Sequence, residues 1–209
     1  VTRDAVAADQ RRRILEATAD LVAEQGYPAT TIEQVVRRAK VGYATFYKSF
    51  EDKEQCFLAL FDAALEHTAR AVEDAYEREA GPWTDRVGAA LGALFVVIAE
   101  HPNVARACMV EALTAGPKAA ARHEAALKRF APLLRPGREL NPRQAELPAT
   151  LEDTLAGGVL WVVNQRLVAG KADELRALLP ETLEFLLRPY VGEEEAAREA
   201  GGMADAASA

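Results

Sequence analysis

Seven residues near the N-terminus have the types and spacing to dock on and read a nucleic acid duplex. In the heptapeptide YATFYKS, Phe46 can pair with Phe50 four residues on and anchor a short helix inward. Tyr43, Ala44, Thr45, Tyr47 and Lys48 are then turned outward. An alanine permits close approach and contact with a thymine methyl, a threonine can bond a base edge or phosphate, and a tyrosine can reach a phosphate. A lysine adds a phosphate or guanine contact. Thr31, at the start of the preceding helix, can bind a backbone phosphate, and Lys53 can clamp the flanking strand. Each residue also has an ordinary use: Thr31 as a helix cap, Tyr47 as a half-buried packing group, Lys48 and Lys53 as solvated lysines.

No catalytic constellation competes with this reading. The chain has no Gly-rich phosphate loop, GxSxG, HExxH or CxxC. His67, His101 and His123 stand apart, and none follows a Glu by three positions as a bundle di-iron site requires. The sequence therefore calls for no catalytic residue, metal or cofactor, and reads as a non-enzyme.

The elements that must position the strip are helical throughout. Apolar residues recur at helical spacing, and β-branched alternation is absent. A first helix is expected from about Asp9 to Gln25, stopped by Gly26. The next starts at Thr31, where Gln34 three residues on completes a capping box, and ends near Ala39. A turn over Lys40, Val41 and Gly42 leads to Tyr43–Ser49, and a fourth helix runs from near Asp52 to Arg78. Two short helices joined by a tight turn, the second more exposed, define a helix-turn-helix. Further helices are expected over Thr84–Glu100, Val104–Thr114, Pro117–Leu134, Ala149–Ala169 and Ala172–Tyr190. The proline-rich stretch 132–148 reads as a loop. Residues 192–209 lack large apolar side chains and read as a disordered tail.

The net charge of −7 at first argues against a polyanionic partner. Up to Lys53, however, nine Lys and Arg face eight Asp and Glu, a net +1 that leaves −8 to the remainder. Local fields govern docking on phosphates, and an acidic body favours a specific pose over loose binding. Cys56 and Cys108 make no disulfide framework and fit a reducing compartment. The apolar run Val87–Ala99 is too short to span a bilayer, and no secretory h-region is present, so a cytoplasmic protein without membrane partners is expected.

The stretch from Arg12 to Phe61 resembles the N-terminal domain of the TetR (tetracycline repressor-like) family. The marks are ILEATADLVAEQGY, TTIEQVVRRA, V-x-x-x-T-F-Y-x-x-F and DKEQCF. The resemblance implies an all-α fold: a three-helix DNA-binding domain over residues 10–70 and a larger ligand-binding and dimerisation domain over 71–191. It implies a homodimeric repressor, released from a palindromic operator by an unidentified small-molecule effector. It also implies Thr31, Tyr43, Ala44, Thr45, Tyr47, Lys48 and Lys53 as the DNA-contact set. Lys40 stands where a turn glycine is common in the family, and Gly42 where a serine cap is common. The alternatives are an activator of the same family and a regulator that binds protein rather than DNA.

In the second domain, residues 87–98 are apolar on nearly all sides. Candidate pocket residues are Phe61, Leu91, Phe95, Ile98, His101, Cys108, Glu111, Trp161 and Gln165, with Phe57, Met109, Phe130 and Asn164 as further candidates. Large apolar residues at helical spacing also serve as plain core. Gly157 and Gly158 in mid-helix each cost about 1 kcal/mol relative to Ala, understandable where another helix packs closely. The resemblance implies dimerisation through helices about 149–169 and 172–190, which could pair two subunits as a four-helix bundle; the alternative is that both close the chain's own core.

Overall fold

A computed structural model describes residues 2–143 and 146–208; the side chains of Leu127 and of residues 203–208 are outside the description. All regular structure among the described residues is helical. The chain divides into two compact units: Val1–Glu66 with His101–Glu124, and His67–Glu100 with Ala125–Ala209. His101–Glu124 thus groups with the N-terminal residues and not with the rest of the stretch 71–191.

In the first unit, α1 (Arg3–Gln25) begins six residues earlier than expected, because Thr2 caps it by accepting the N–H of Ala5 at 3.3 Å. It buries Ile14, Leu15, Thr18, Leu21 and Val22, and ends at Gly26, whose φ of 84° suits a residue without Cβ. α2 (Ile32–Ala39) starts with the expected capping box: Thr31 Oγ1 accepts the Gln34 N–H at 3.3 Å, and Gln34 Oε1 accepts the Thr31 N–H at 2.8 Å. α3 (Tyr43–Ser49) follows, then α4 (Lys53–Arg78), whose start is capped by Asp52 Oδ1 accepting the Gln55 N–H at 2.7 Å. Residues 53–66 of α4 belong to the first unit and 67–78 to the second.

α6 (Pro102–Met109) packs on α1. Arg106 Nε donates to the Ala23 carbonyl at 3.1 Å, and Asn103 Nδ2 donates to Asp20 Oδ1 at 2.8 Å. The helix expected over Val104–Thr114 breaks after Met109, and a 3-10 turn covers Ala112–Thr114. α7 (Pro117–Phe130) stops four residues short of the expected Leu134. Its first half is tied to α4 by the pairs Lys118–Glu54 at 2.8 Å and Arg122–Asp62 at 2.7 Å.

In the second unit, α5 (Trp83–Glu100) is the central helix, with Val87, Ala90, Leu91, Phe95 and Ile98 buried. Part of the expected loop 132–148 is a 3-10 stretch, Ala131–Leu140. Its tighter winding tolerates Pro132 and Pro136 while Leu134 and Gly137 turn inward. α8 (Leu151–Val168) follows. The single helix expected over Ala172–Tyr190 is instead a 3-10 segment, Ala172–Leu178, leading into α9 (Leu179–Val191). Pro180 in the first turn of α9 sets that boundary, since a proline lacks the N–H an interior position needs.

The stretch read as a disordered tail contains α10 (Glu193–Ser208). Glu193, Glu194 and Glu195 complement the positive N-terminus of that helix. Ala196 and Ala200, four apart, are buried, and the helix packs on α9. Small residues allow close approach without large side chains, which apolar counting by size overlooks.

Candidate nucleic-acid interface and apolar cavity

The helix-turn-helix is α2, the turn Lys40–Gly42 and α3. Lys40 occupies the left-handed region at φ 53° and ψ 48°, and its N–H caps α2 through the Val36 and Arg37 carbonyls. The turn thus forms without the usual glycine, at a backbone cost of about 1 kcal/mol. Gly42 precedes α3 in extended conformation and supplies no side-chain cap.

α3 is fixed from within. Phe46 is buried at 1% exposure and meets the ring of Phe50 at 5.7 Å, also buried. The guanidinium of Arg11 lies over the Phe50 ring at 5.1 Å, a contact between residues 39 positions apart that no local pattern marks. The opposite face carries Tyr43 and Tyr47, 49% and 55% exposed, with Ala44 and Lys48 also exposed and Thr45 intermediate. Tyr47 also sets its ring edge-on to Phe46 at 5.5 Å, which limits how it can swing.

Two members of the expected set hold internal structure as well. The Thr31 hydroxyl donates to Gln34 Oε1 at 3.1 Å while it caps α2. Lys53 Nζ donates to the carbonyls of Tyr27 at 3.0 Å and Thr30 at 2.9 Å, and lies 4.2 Å from the Tyr27 ring centroid. Burial holds its ammonium below the ordinary lysine range. Lys53 is therefore a brace for the α1–α2 connection, with at most one N–H left for a phosphate.

The expected pocket residues fall in several places. The second unit holds a cavity of about 70 Å³. It is lined by aliphatic residues and one aromatic: Val72 of α4, Leu91 and Leu94 of α5, Phe130, Val159 of α8 and Leu186 of α9 among them. Of the first nine candidates only Leu91 lines it; Phe130, a further candidate, does too. Phe61, His101, Cys108 and Glu111 belong to the other unit. Phe95 and Ile98 are buried on α5 away from the cavity wall. Trp161 is 66% exposed and Gln165 is exposed, both on the outer side of α8. Leu133, Leu134, Ala156 and Leu160 were missed, since an aliphatic residue at a helical position carries no mark of lining a cavity rather than filling a core.

A polar cluster in the same unit stands four positions along the chain from several of the lining residues. Glu152, 5% exposed, accepts from Arg138 Nε at 2.7 Å, Arg138 Nη2 at 2.9 Å and the Tyr190 hydroxyl at 3.1 Å. Burial opposes ionisation of this carboxyl, but the bonds from Arg138, the backbone and Tyr190 outweigh it and hold it below the ordinary range. Trp83 meets the Tyr190 ring edge-on at 5.1 Å and donates from Nε1 to the Leu133 carbonyl at 3.0 Å. Its indole lies on Gly137, where a Cβ would fall 2.3 Å from a ring carbon.

α8 and α9 also present an apolar outer face: Trp161, Val168 and Phe185 are exposed. A Cβ on Gly158 would meet Phe185 at 3.0 Å, whereas one on Gly157 would meet nothing within 4 Å. The close packing expected at both glycines thus exists within the chain at Gly158 alone. Among the described residues, no group of three or more His, Cys, Asp and Glu could hold a metal ion. No single described helix is long and apolar enough to cross a membrane.

These elements define a helix-turn-helix protein with a second, all-helical unit. Residues 14–60 match the family model described as bacterial regulatory proteins, tetR family. The match takes in α2, the turn and α3, with most of α1 before them and the start of α4 after them. It is 34% identical over 86 residues to the uncharacterized HTH-type transcriptional regulator YhgD of Bacillus subtilis (strain 168), a match covering 41% of this chain and 44% of that one. The matched segments span less than half the length of the curated relatives. Its fold is shared with the fatty acid degradation regulator FadR of Bacillus halodurans, at TM-score 0.74 and 21% identity over 84% of this chain and 97% of that one. FadR of Bacillus subtilis, in complex with stearoyl-CoA, has TM-score 0.71 and 18% identity over the same shares.

Proposed function

We propose that the chain is a sequence-specific DNA-binding transcriptional repressor that acts as a homodimer and leaves its operator when a small molecule occupies the second unit. The observation that carries the reading is the two-sided build of α3. Phe46 and Phe50 lock one side while Tyr43, Ala44, Tyr47 and Lys48 stand exposed on the other. A rigid helix with small, hydroxyl and cationic groups outward suits a major groove. Thr45 completes the strip, Thr31 lies at the α2 N-terminus, and Lys53 braces the connection beside it.

Two copies joined through the outer faces of α8 and α9 cover Trp161, Val168 and Phe185, and set two copies of α3 to read successive major grooves. The apolar cavity accepts the effector. FadR, with its stearoyl-CoA, makes an acyl thioester the ligand class to test. The effector shifts α4, which lines the cavity through Val72 and carries Lys53 at its other end, and must bind the DNA-free form better than the DNA-bound form. The second reading, an activator of the same build, shares every one of these features.

The test is fluorescence anisotropy on duplex DNA with nonspecific competitor, for the wild type and for Tyr47→Ala and Lys48→Ala. Both variants are expected to keep the helical circular-dichroism signal and lose affinity. Unchanged affinity in both would remove α3 as the reading element.

A further inference from the structure

We infer that the cavity of the second unit is a length-limited slot for a short, unsubstituted aliphatic end of the effector; this rests on the ligand reading above. Four residues of the polar cluster each sit four positions from a cavity-lining residue. They are Trp83 beside Val87 on α5, Arg138 beside Leu134, Glu152 beside Ala156 on α8, and Tyr190 beside Leu186 on α9. Because Trp83 contacts Tyr190, Tyr190 bonds Glu152 and Glu152 pairs with Arg138, all four lie at one end. They form a plug.

The polar groups of the plug are already paired with one another or with backbone carbonyls. Every Arg138 nitrogen is engaged, with Nη1 and Nη2 also donating to the Leu147 and Pro148 carbonyls. The Tyr190 hydroxyl and the Trp83 N–H are engaged as well. The walls are hydrocarbon. A polar group driven to this end would compete for groups already paired, and a longer chain would have to break the part-buried Arg138–Glu152 pair. The volume sets the length. A cavity of about 70 Å³ is under half of the ~150 Å³ that holds benzene, so it admits a chain on the order of three to five carbons.

The experiment is calorimetric titration of the full chain with straight-chain acyl-CoAs from acetyl to stearoyl. Butyryl- or valeryl-CoA is expected to bind at least about 10-fold tighter than stearoyl-CoA, and the ω-hydroxy analogue on the order of 100-fold weaker than its parent. Leu186→Ala, which adds room next to the plug, moves the optimum to a longer chain. Ala156→Leu, which fills the slot, abolishes binding of every chain longer than acetyl while leaving duplex binding intact. Affinity that rises steadily to stearoyl, or an optimum unmoved in Leu186→Ala together with normal binding in Ala156→Leu, overturns the slot. Binding of no chain length overturns the slot and the acyl-thioester reading together. Selective duplex binding by the same preparation then leaves the DNA reading standing, and its loss would remove that as well.

Discussion

The ammonium of Lys53 sits on Tyr27, 4.2 Å from the ring centroid and 3.0 Å from the same residue's carbonyl oxygen. A second bond, to the Thr30 carbonyl at 2.9 Å, makes Lys53 the tie between the first turn of α4 and the connection that delivers α2. Lys53→Met is expected to lower stability by about 2 kcal/mol, since a bond from a charged donor contributes ~1.5–3 kcal/mol and its loss leaves two carbonyls to find water. Lys48 is exposed, so Lys48→Ala leaves the melting temperature unchanged and lowers the slope of log K against log salt by about one. Thermal melts beside salt-dependent DNA titrations separate the brace from the contact. A Lys53→Met protein as stable as the wild type contradicts the brace.

The turn itself makes a second prediction. Lys40 holds a left-handed backbone that only glycine adopts without steric cost. Lys40→Gly should therefore raise stability by about 1 kcal/mol, a shift of roughly 2–4 °C in melting temperature for a chain of this size. A lower melting temperature would mean that the lysine side chain supplies more than its backbone conformation costs.

Acid should loosen the second unit at its plug. The Glu152 carboxyl is held below the ordinary glutamate value of 4.5, so the folded state binds its proton less readily than the unfolded chain. That contribution to stability is complete above about pH 4.5 and is lost as pH falls through the depressed folded value. Glu152→Gln removes the titrating group. Its denaturant midpoint should be lower than wild type at neutral pH and should change less below pH 4.5. Parallel pH profiles for the two proteins would show that Glu152 is not responsible.

The outer faces of α8 and α9 predict the assembly. Trp161→Glu with Phe185→Glu places two charges on the exposed apolar surface proposed to pair two copies. Sedimentation should then report a dimer for the wild type and a monomer for the double variant, with the helical signal unchanged. A wild-type monomer, or a dimeric double variant, contradicts pairing through this face.

Much of the N-terminal unit was legible because its signals are local. The Thr31–Gln34 capping box, Gly26 after α1 and the Phe46–Phe50 pair each specify geometry within a few residues. The second unit was legible as helices but not as a site. Leu91 and Phe130 line the cavity while Phe95, equally apolar and on the same helix as Leu91, fills the core, and no residue type separates the two. The Arg138–Glu152–Tyr190 cluster joins positions 14 and 38 residues apart in a stretch read as loop followed by helices. The Lys53 brace spans 26 residues to Tyr27, a pairing that no local pattern announces. The α10 helix was missed because alanines at Ala196 and Ala200 pack by closeness rather than by bulk.

The most direct test of the central claim is selection of duplexes from a random-sequence pool by the full chain, in parallel with Tyr47→Ala. The account predicts that the wild type enriches a palindrome whose half-sites lie about one helical turn apart, or a multiple of it, and that it binds with two protomers per site. Tyr47→Ala should lose most of that enrichment while still folding. A wild-type pool with no enriched sequence, or one that Tyr47→Ala enriches equally well, would contradict DNA reading by the outward face of α3.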